Sequence, residues 1–258
     1  MDNYQIARRA QIGVVIPSTN TGVEYDLQQF NVDGVSWHFS RFWIEIRNWA
    51  DEASASGDNA DTVFERFLDV MRGEIPQSLR YVLSANVSHI MLGMSAETFW
   101  GGVDGADRFE AGVREHIGDI GLTTAAEATR VALEKFAVKK ISVITPYPPV
   151  GDANVRQYFE ELGYEVKAVK GLSRPSATAI AETPIQEVID AVKEVDGDDV
   201  DAILQAGTNL STVDLFPTLE HWLQKPLIPI NVATVWHALR ACGINDPITG
   251  KGRLLEEF

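Results

Sequence analysis

The chain has 258 residues, 45% of them hydrophobic and 23% charged, enough to bury a sizeable core in one large domain or two small ones. Its formal net charge of −15 repels nucleic-acid phosphates and anionic membrane surfaces. No basic stripe offsets that charge, and no apolar run reaches the ~18 residues of a membrane span, so neither nucleic acid nor membrane is expected as a partner. One cysteine, Cys242, excludes an intramolecular disulfide and a thiolate metal cluster. With no leader-like apolar stretch near the N-terminus, a cytoplasmic location is expected.

Apolar runs alternate with helical patterns along the chain, which predicts βαβ units and mostly parallel sheet. Ile12–Ile16 is the first clear strand. It runs into Pro17-Ser18-Thr19-Asn20-Thr21, four uncharged hydrogen-bonding side chains that suit either a carboxylate or a capped turn. Trp37-His38-Phe39-Ser40-Arg41 alternates like a strand, and Arg41 at its end is a candidate partner for a substrate carboxylate. Trp37, Phe42, Trp43 and Trp49 exceed what a surface strand needs and read as a subunit interface, so a homo-oligomer is expected.

His89 is expected at a sheet edge before the strand Ile90–Leu92. In the loop that follows, Gly93 to Gly102, Ser95 and Thr98 offer hydroxyls, Phe99 and Trp100 an apolar wall, and Glu97 either a proton-transfer group or a helix-start acid. A helix is predicted over Ala125–Phe136, then a strand over Ile141–Thr145 that leads to Pro146-Tyr147-Pro148-Pro149. Asp152 is expected to cap a helix ending at Gly163, and Thr183-Pro184-Ile185-Gln186 reads as a capping box with proline at the first helical position. Ala202–Gln205 and Leu227–Ile230 are predicted strands, and Val235–Ala241 a helix.

The chain carries a weak internal duplication. Ile12-Gly-Val-Val-Ile-Pro17 matches Ile141-Ser-Val-Ile-Thr-Pro146, and each half later ends a strand in a glycine and a hydroxyl-rich loop, Gly93-Met94-Ser95 and Gly207-Thr208-Asn209. Parallel sheets present ligands at strand C-terminal ends, so four such loops are expected to converge on one cleft. The five histidines lack metal-ligand spacing, and the chain shows no Gly-x-Ser-x-Gly elbow, phosphate loop or dinucleotide fingerprint. Serine hydrolases of the usual kind, kinases and NAD enzymes are disfavoured, and neither metal nor cofactor is expected.

At these loops the sequence resembles the aspartate/glutamate racemase superfamily, and within it the maleate cis–trans isomerase and arylmalonate decarboxylase group. The resemblance rests on residues 12–21, Ser40-Arg41, the Gly93–Gly101 loop, Thr145-Pro-Tyr147 with Asn154, and the Gly207–Pro217 loop, in the expected order over almost the full chain. It implies an α/β fold of two pseudo-symmetric Rossmann-like halves, each with a parallel four-stranded sheet, and an active-site cleft between them. The halves would be residues 1–135 plus 233–258, and 136–232. In that group one or two thiols flank the cleft. Here the matching positions, within one residue, are Gly93 and Gly207, so both thiols are missing.

The carboxylate-holding apparatus is retained by this resemblance. Tyr147, Glu97 and Ser95 are the catalytic candidates. Ser18, Asn20, Arg41, Gly93, Met94, Asn154, Gly207, Thr208 and Asn209 are the substrate-binding candidates. The expected activity is that of a decarboxylase passing through an enediolate from a small carboxylate or dicarboxylate. The alternatives are a hydrolase of a related acid or cyclic imide, an isomerase with a changed mechanism, or a non-catalytic binding protein for small acids.

Overall fold

Continuous burial of Ala10 to Ile16 makes the first strand, β1 (Ala10–Pro17), an inner strand. In the computed structural model, which describes residues 6–45 and 48–258, it pairs in parallel with β2 (Val35–Phe42) and β3 (His89–Leu92). β4 (Gly121–Thr123) adds beyond β3, giving the order β2-β1-β3-β4. Met1–Gln5, the start of the stretch read for a leader, lie outside the described residues.

The second sheet repeats this plan. β5 (Lys140–Thr145) is central, flanked by β6 (Glu165–Gly171) and β7 (Ala202–Gln205), with β8 (Leu227–Pro229) beyond β7, all parallel. The two sheets share one strand order, as two pseudo-symmetric halves require. The registers also define equivalent positions. Val15 sits opposite Leu92 and Ile144 opposite Gln205; the next N–H after β3 and β7, that of Gly93 and of Ala206, donates to Val15 O and Ile144 O, both at 2.8 Å. The mate of Gly93 is therefore Ala206, one residue before Gly207, and that of Ser95 is Thr208.

The helices are α1 (Gly22–Leu27), α2 (Trp49–Ser56), α3 (Ala60–Leu83), α4 (Gly102–Ile117), α5 (Ala125–Lys135), α6 (Pro149–Glu161), α7 (Ile185–Val195), α8 (Phe216–Leu223), α9 (Ile230–Ala241) and α10 (Arg253–Glu257), with a 3-10 turn at Ala96–Phe99. α9 packs on α5 and against β3 and β4, so the chain's last segment returns to the first sheet. No helix among the described residues is long and apolar enough to cross a membrane.

Several local expectations are corrected. The strand expected over Leu227–Ile230 ends at Pro229, and Ile230 already opens α9. α6 starts at Pro149, and Asp152 lies inside its first turn, where its carboxylate accepts from the Thr145 hydroxyl instead of capping. α7 starts at Ile185 with Pro184 outside it, and Thr183 Oγ1 donates to Ile180 O (2.8 Å), so no capping box forms. His89 is no edge residue: β3 lies between β1 and β4, and the imidazole is buried against Thr123 Oγ1 at 2.8 Å. Of the aromatics read as interface, Phe42 and Trp49 are core, while Trp43 is exposed.

Candidate active site

Four strand ends converge as parallel topology demands. Thr19 and Asn20 follow β1, Met94 and Ser95 follow β3, Tyr147 follows β5, and Gly207, Thr208 and Asn209 follow β7; together they line one cavity of ≈ 60 Å³ between the sheets. That volume suits a small molecule, since a single water needs only about 10–15 Å³. No charged side chain lines it among the described residues.

The polar groups form a network that crosses between the halves. Ser95 Oγ lies 2.7 Å from Tyr147 Oη and accepts from the Thr208 N–H at 3.1 Å. Thr208 Oγ1 donates to Gly93 O (3.2 Å) and accepts from Asn20 Nδ2 (3.1 Å). Two hydroxyls, Ser95 and Tyr147, share one hydrogen bond, so whichever donates, the other keeps a free O–H for an occupant. The backbone N–H groups of Met94, Ser95 and Asn209 have no acceptor among the described residues. Burial pushes the Tyr147 phenol up, so it stays a neutral donor at physiological pH.

Tyr147 is held from behind. Its N–H donates to Thr145 Oγ1 (3.2 Å), and that hydroxyl donates to Asp152. Burial raises Asp152 to about 7, the Thr145 hydrogen bond opposes this, and Asp61 adds repulsion. Gly151 permits the close packing: a Cβ there would stand 2.6 Å from Tyr147 Cβ. Phe64 packs near the same ring, 5.8 Å away centroid to centroid.

The rest of the lining is apolar and comes largely from α3, which Asn59 opens by accepting from Thr62 N (2.8 Å). Phe64, Phe67, Leu68 and Met71 face the cavity, joined by Trp49, whose ring meets Phe64 edge-on at 5.2 Å. Trp49 Nε1 donates to Arg174 O (2.7 Å), anchoring this wall to the second half. The wall is absent from the sequence-based candidates. Apolar residues at 63, 64, 67, 68, 71 and 75 have helical spacing, but spacing alone does not say that one end of the stripe overhangs a cleft.

The structure brings together Asn20, Met94, Ser95, Tyr147, Gly207, Thr208 and Asn209. Gly93 contributes through its carbonyl, and a Cβ at that position would collide with Ile16 Cγ2. The remaining candidates lie elsewhere. Ser18 Oγ accepts from Ile44 N (3.0 Å), tying its loop to the end of β2. Arg41 pairs with Glu24 and donates to Asn20 O (2.9 Å), so it stiffens the loop from outside. Asn154 bridges Gly101 N (2.8 Å) and Val150 O (2.9 Å). Asn209 lines the cleft, but its side chain binds Thr21 N and Gly22 N (both 2.9 Å) and Ala177 O (2.9 Å).

Glu97 needs the largest revision. The 3-10 turn points its buried carboxylate away from the cleft, toward a second pocket, where Arg72 Nε donates to Oε1 at 2.5 Å. Burial outweighs Arg72 and raises Glu97 to about 7, with Oε2 left unpartnered among the described residues. Cys242 caps the C-terminus of α9, away from the cavity lining, and burial pushes its thiol up to about 11.

Two parallel α/β halves, with neutral donors facing an uncharged wall across their strand ends, define a pseudo-symmetric α/β protein with a small-molecule site between the halves. The chain belongs to the arylmalonate decarboxylase family, whose model matches residues 55–255. A maleate isomerase from Alcaligenes faecalis is 27% identical over 254 residues, 95% of this chain and 96% of that protein. A maleate isomerase from Nocardia farcinica is 22% identical over 252 residues, 96% of each. In fold, the chain is similar to a Cys-to-Ser mutant of the Nocardia farcinica maleate cis–trans isomerase with a covalently bound succinylcysteine intermediate (TM-score 0.83, 21% identity, 96% of this chain and 99% of that one). It is also similar to a liganded double mutant of arylmalonate decarboxylase (TM-score 0.81, 19% identity, 96% and 100%). These relatives are small-carboxylate enzymes.

Proposed function

We propose that this chain is a lyase that decarboxylates a small malonate-type acid bearing an apolar substituent, through an enediolate. One observation carries the reading: the cavity sets neutral donors against an uncharged aromatic wall and presents no thiol. An acid with an apolar substituent fits both sides. Maleate carries no apolar substituent to cover the aromatic wall. The same wall favours loss of CO2, because a carboxylate facing Phe64, Phe67 and Leu68 leaves as a neutral molecule.

In the step we envisage, one carboxylate is held by the Ser95 hydroxyl and the free backbone N–H groups of Met94, Ser95 and Asn209. The bond from the α-carbon to the other carboxylate breaks, CO2 departs, and the electron pair enters the α-carbon and the retained carboxylate as an enediolate. Donors aimed at its oxygens stabilise the developing charge. The Tyr147 O–H then protonates the α-carbon, directly or through Ser95, and the phenolate recovers a proton from water.

Maleate isomerisation is the second reading, favoured by the names of the full-length relatives. The Nocardia farcinica intermediate is a cysteine adduct, whereas Cys242 here stands outside the cavity. An isomerase would need another nucleophile, for which Ser95 is the candidate.

A panel of α-substituted malonates, maleate and cyclic imides, followed by proton NMR and CO2 release, separates the readings. Decarboxylation predicts a monoacid and CO2 from a substituted malonate; fumarate from maleate without CO2 would replace it with isomerisation. Cys242→Ser is expected to leave turnover within about twofold, as for a site away from the chemistry. Loss of turnover with an unchanged thermal midpoint would contradict a thiol-free mechanism.

A further inference from the structure

The second-half side of the cleft is fastened to a carboxylate that does not touch the cavity. Asp26, on α1, is fully buried. Its Oδ1 accepts from Ser211 Oγ at 2.5 Å and its Oδ2 from Asn231 Nδ2 at 2.6 Å. Asn231, on α9, uses the same nitrogen to donate to the Thr208 carbonyl at 2.9 Å. Its own Oδ1 is buried without a partner among the described residues, so the two acceptors on Nδ2 set the orientation of the amide.

A trans peptide points its C=O and N–H in opposite directions. With the Thr208 carbonyl committed to α9, the N–H of the same peptide unit, that of Asn209, is directed away from α9. Asn209 lines the cavity, and its N–H has no acceptor among the described residues. Gly22 lets the segment sit this close to α1: a Cβ there would stand 3.1 Å from both the Thr208 and the Asn209 carbonyl oxygens. We infer that Asp26, acting through Asn231, is a positioning residue that holds the Asn209 N–H as a donor to the substrate carboxylate.

The inference rests on the cleft being the catalytic site. Protonation on Oδ1 would reverse the Ser211 hydrogen bond and strip the Asn231 bond to Oδ2 of its charge assistance, so the ionised carboxylate holds Asn231 more firmly. Burial raises Asp26 to about 6, against the two hydrogen bonds; Asp214 adds repulsion and Lys251 attraction from the facing segments. Lys251 is itself held by Asp214 Oδ1 (2.8 Å) and Gln29 Oε1 (2.5 Å). Since the folded-state pKa lies above the ordinary one, Asp26 favours the fold at acid pH and loses that contribution as pH rises through about 6. Ionised Asp26 thus opposes stability at neutral pH, as expected of a charge kept for function.

The test combines the pH dependence of kcat with the backbone amide resonance of Asn209. In the native protein both should follow one acid limb near pH 6, with KM changing less than kcat. Ser211→Ala removes a donor to the anion, so both limbs should move to higher pH. Asn231→Leu should uncouple the Asn209 resonance from the titration and lower kcat by up to about 10²-fold, the scale of a slightly misplaced donor. Lowered thermal midpoints with both limbs unmoved would make the cluster structural only and overturn the inference. If no acid is turned over, the proposed function fails, while the Asn209 titration still decides the positioning role.

Discussion

Tyr147→Phe is expected to lower kcat by roughly 10²–10³-fold, about 3–4 kcal/mol of barrier, while the protein stays folded. The phenylalanine keeps the ring against Phe64 and over Gly151 and removes only the O–H. What is lost is the group that shares a hydrogen bond with Ser95 Oγ at 2.7 Å and supplies the proton in the proposed step. Ser95 still accepts from the Thr208 N–H, so its oxygen is not orphaned, and stability should change by only about 1 kcal/mol. Affinity for the ground-state carboxylate should fall little, because charge on the oxygens grows mainly toward the enediolate. Steady-state kinetics on the best acid of the panel, with thermal midpoints for both proteins, measure this. Unchanged kcat with a lowered midpoint would reduce Tyr147 to a packing residue.

Gly207→Ala should have the largest effect on stability, roughly 2–6 kcal/mol, the sum of backbone strain of about 1–3 and overpacking of about 1–3 kcal/mol. Gly207 has φ +138°, a conformation that disfavours any side chain, and a Cβ would collide with the Cγ and Cδ of Pro146. Pro146 is a closed ring after an inner strand and cannot swing aside as a flexible side chain would. The collision would also displace Thr208 and Asn209, so residual folded protein should lose turnover. Gly57→Ala is the control: φ is +79° but nothing lies within 4 Å of a Cβ, so strain acts alone and the cost should be nearer 1 kcal/mol. Urea unfolding of both variants checks the difference; equal costs would mean that the close approach of the two loops contributes nothing.

The pairing of those loops is legible in the sequence. Inner strands of a parallel sheet are buried on both faces, so Ile12–Ile16 and Ile141–Thr145 stand out as apolar runs, and Pro17 and Pro146 mark the same exit from each. Chain order and the strand-end rule then suffice to place Ser95, Tyr147 and Thr208 at one cleft. Glu97 defeats the same reasoning because a 3-10 turn that starts at Ala96, directly after Ser95, rotates each successive side chain by about 120°. Arg41 looks like a substrate ligand since an exposed strand-end arginine and one that buttresses a loop have the same sequence context; only the carbonyl of Asn20 tells them apart. Asp26 and Asn231 are 205 positions apart and share no motif, so their contact belongs wholly to tertiary structure.

The central claim is that the cleft binds a small acid with its carboxylate on the neutral donors and its substituent on the aromatic wall. A crystal structure with a 2-arylpropionate, the kind of product the proposed reaction releases, tests it most directly. The account predicts a carboxylate within hydrogen-bond distance of Ser95 Oγ, Tyr147 Oη and the Asn209 N–H, with the ring against Trp49 and Phe64. A ligand held instead by Arg72 and Arg108 in the pocket behind Glu97, or one lying in the cleft with its carboxylate toward α3, would contradict it.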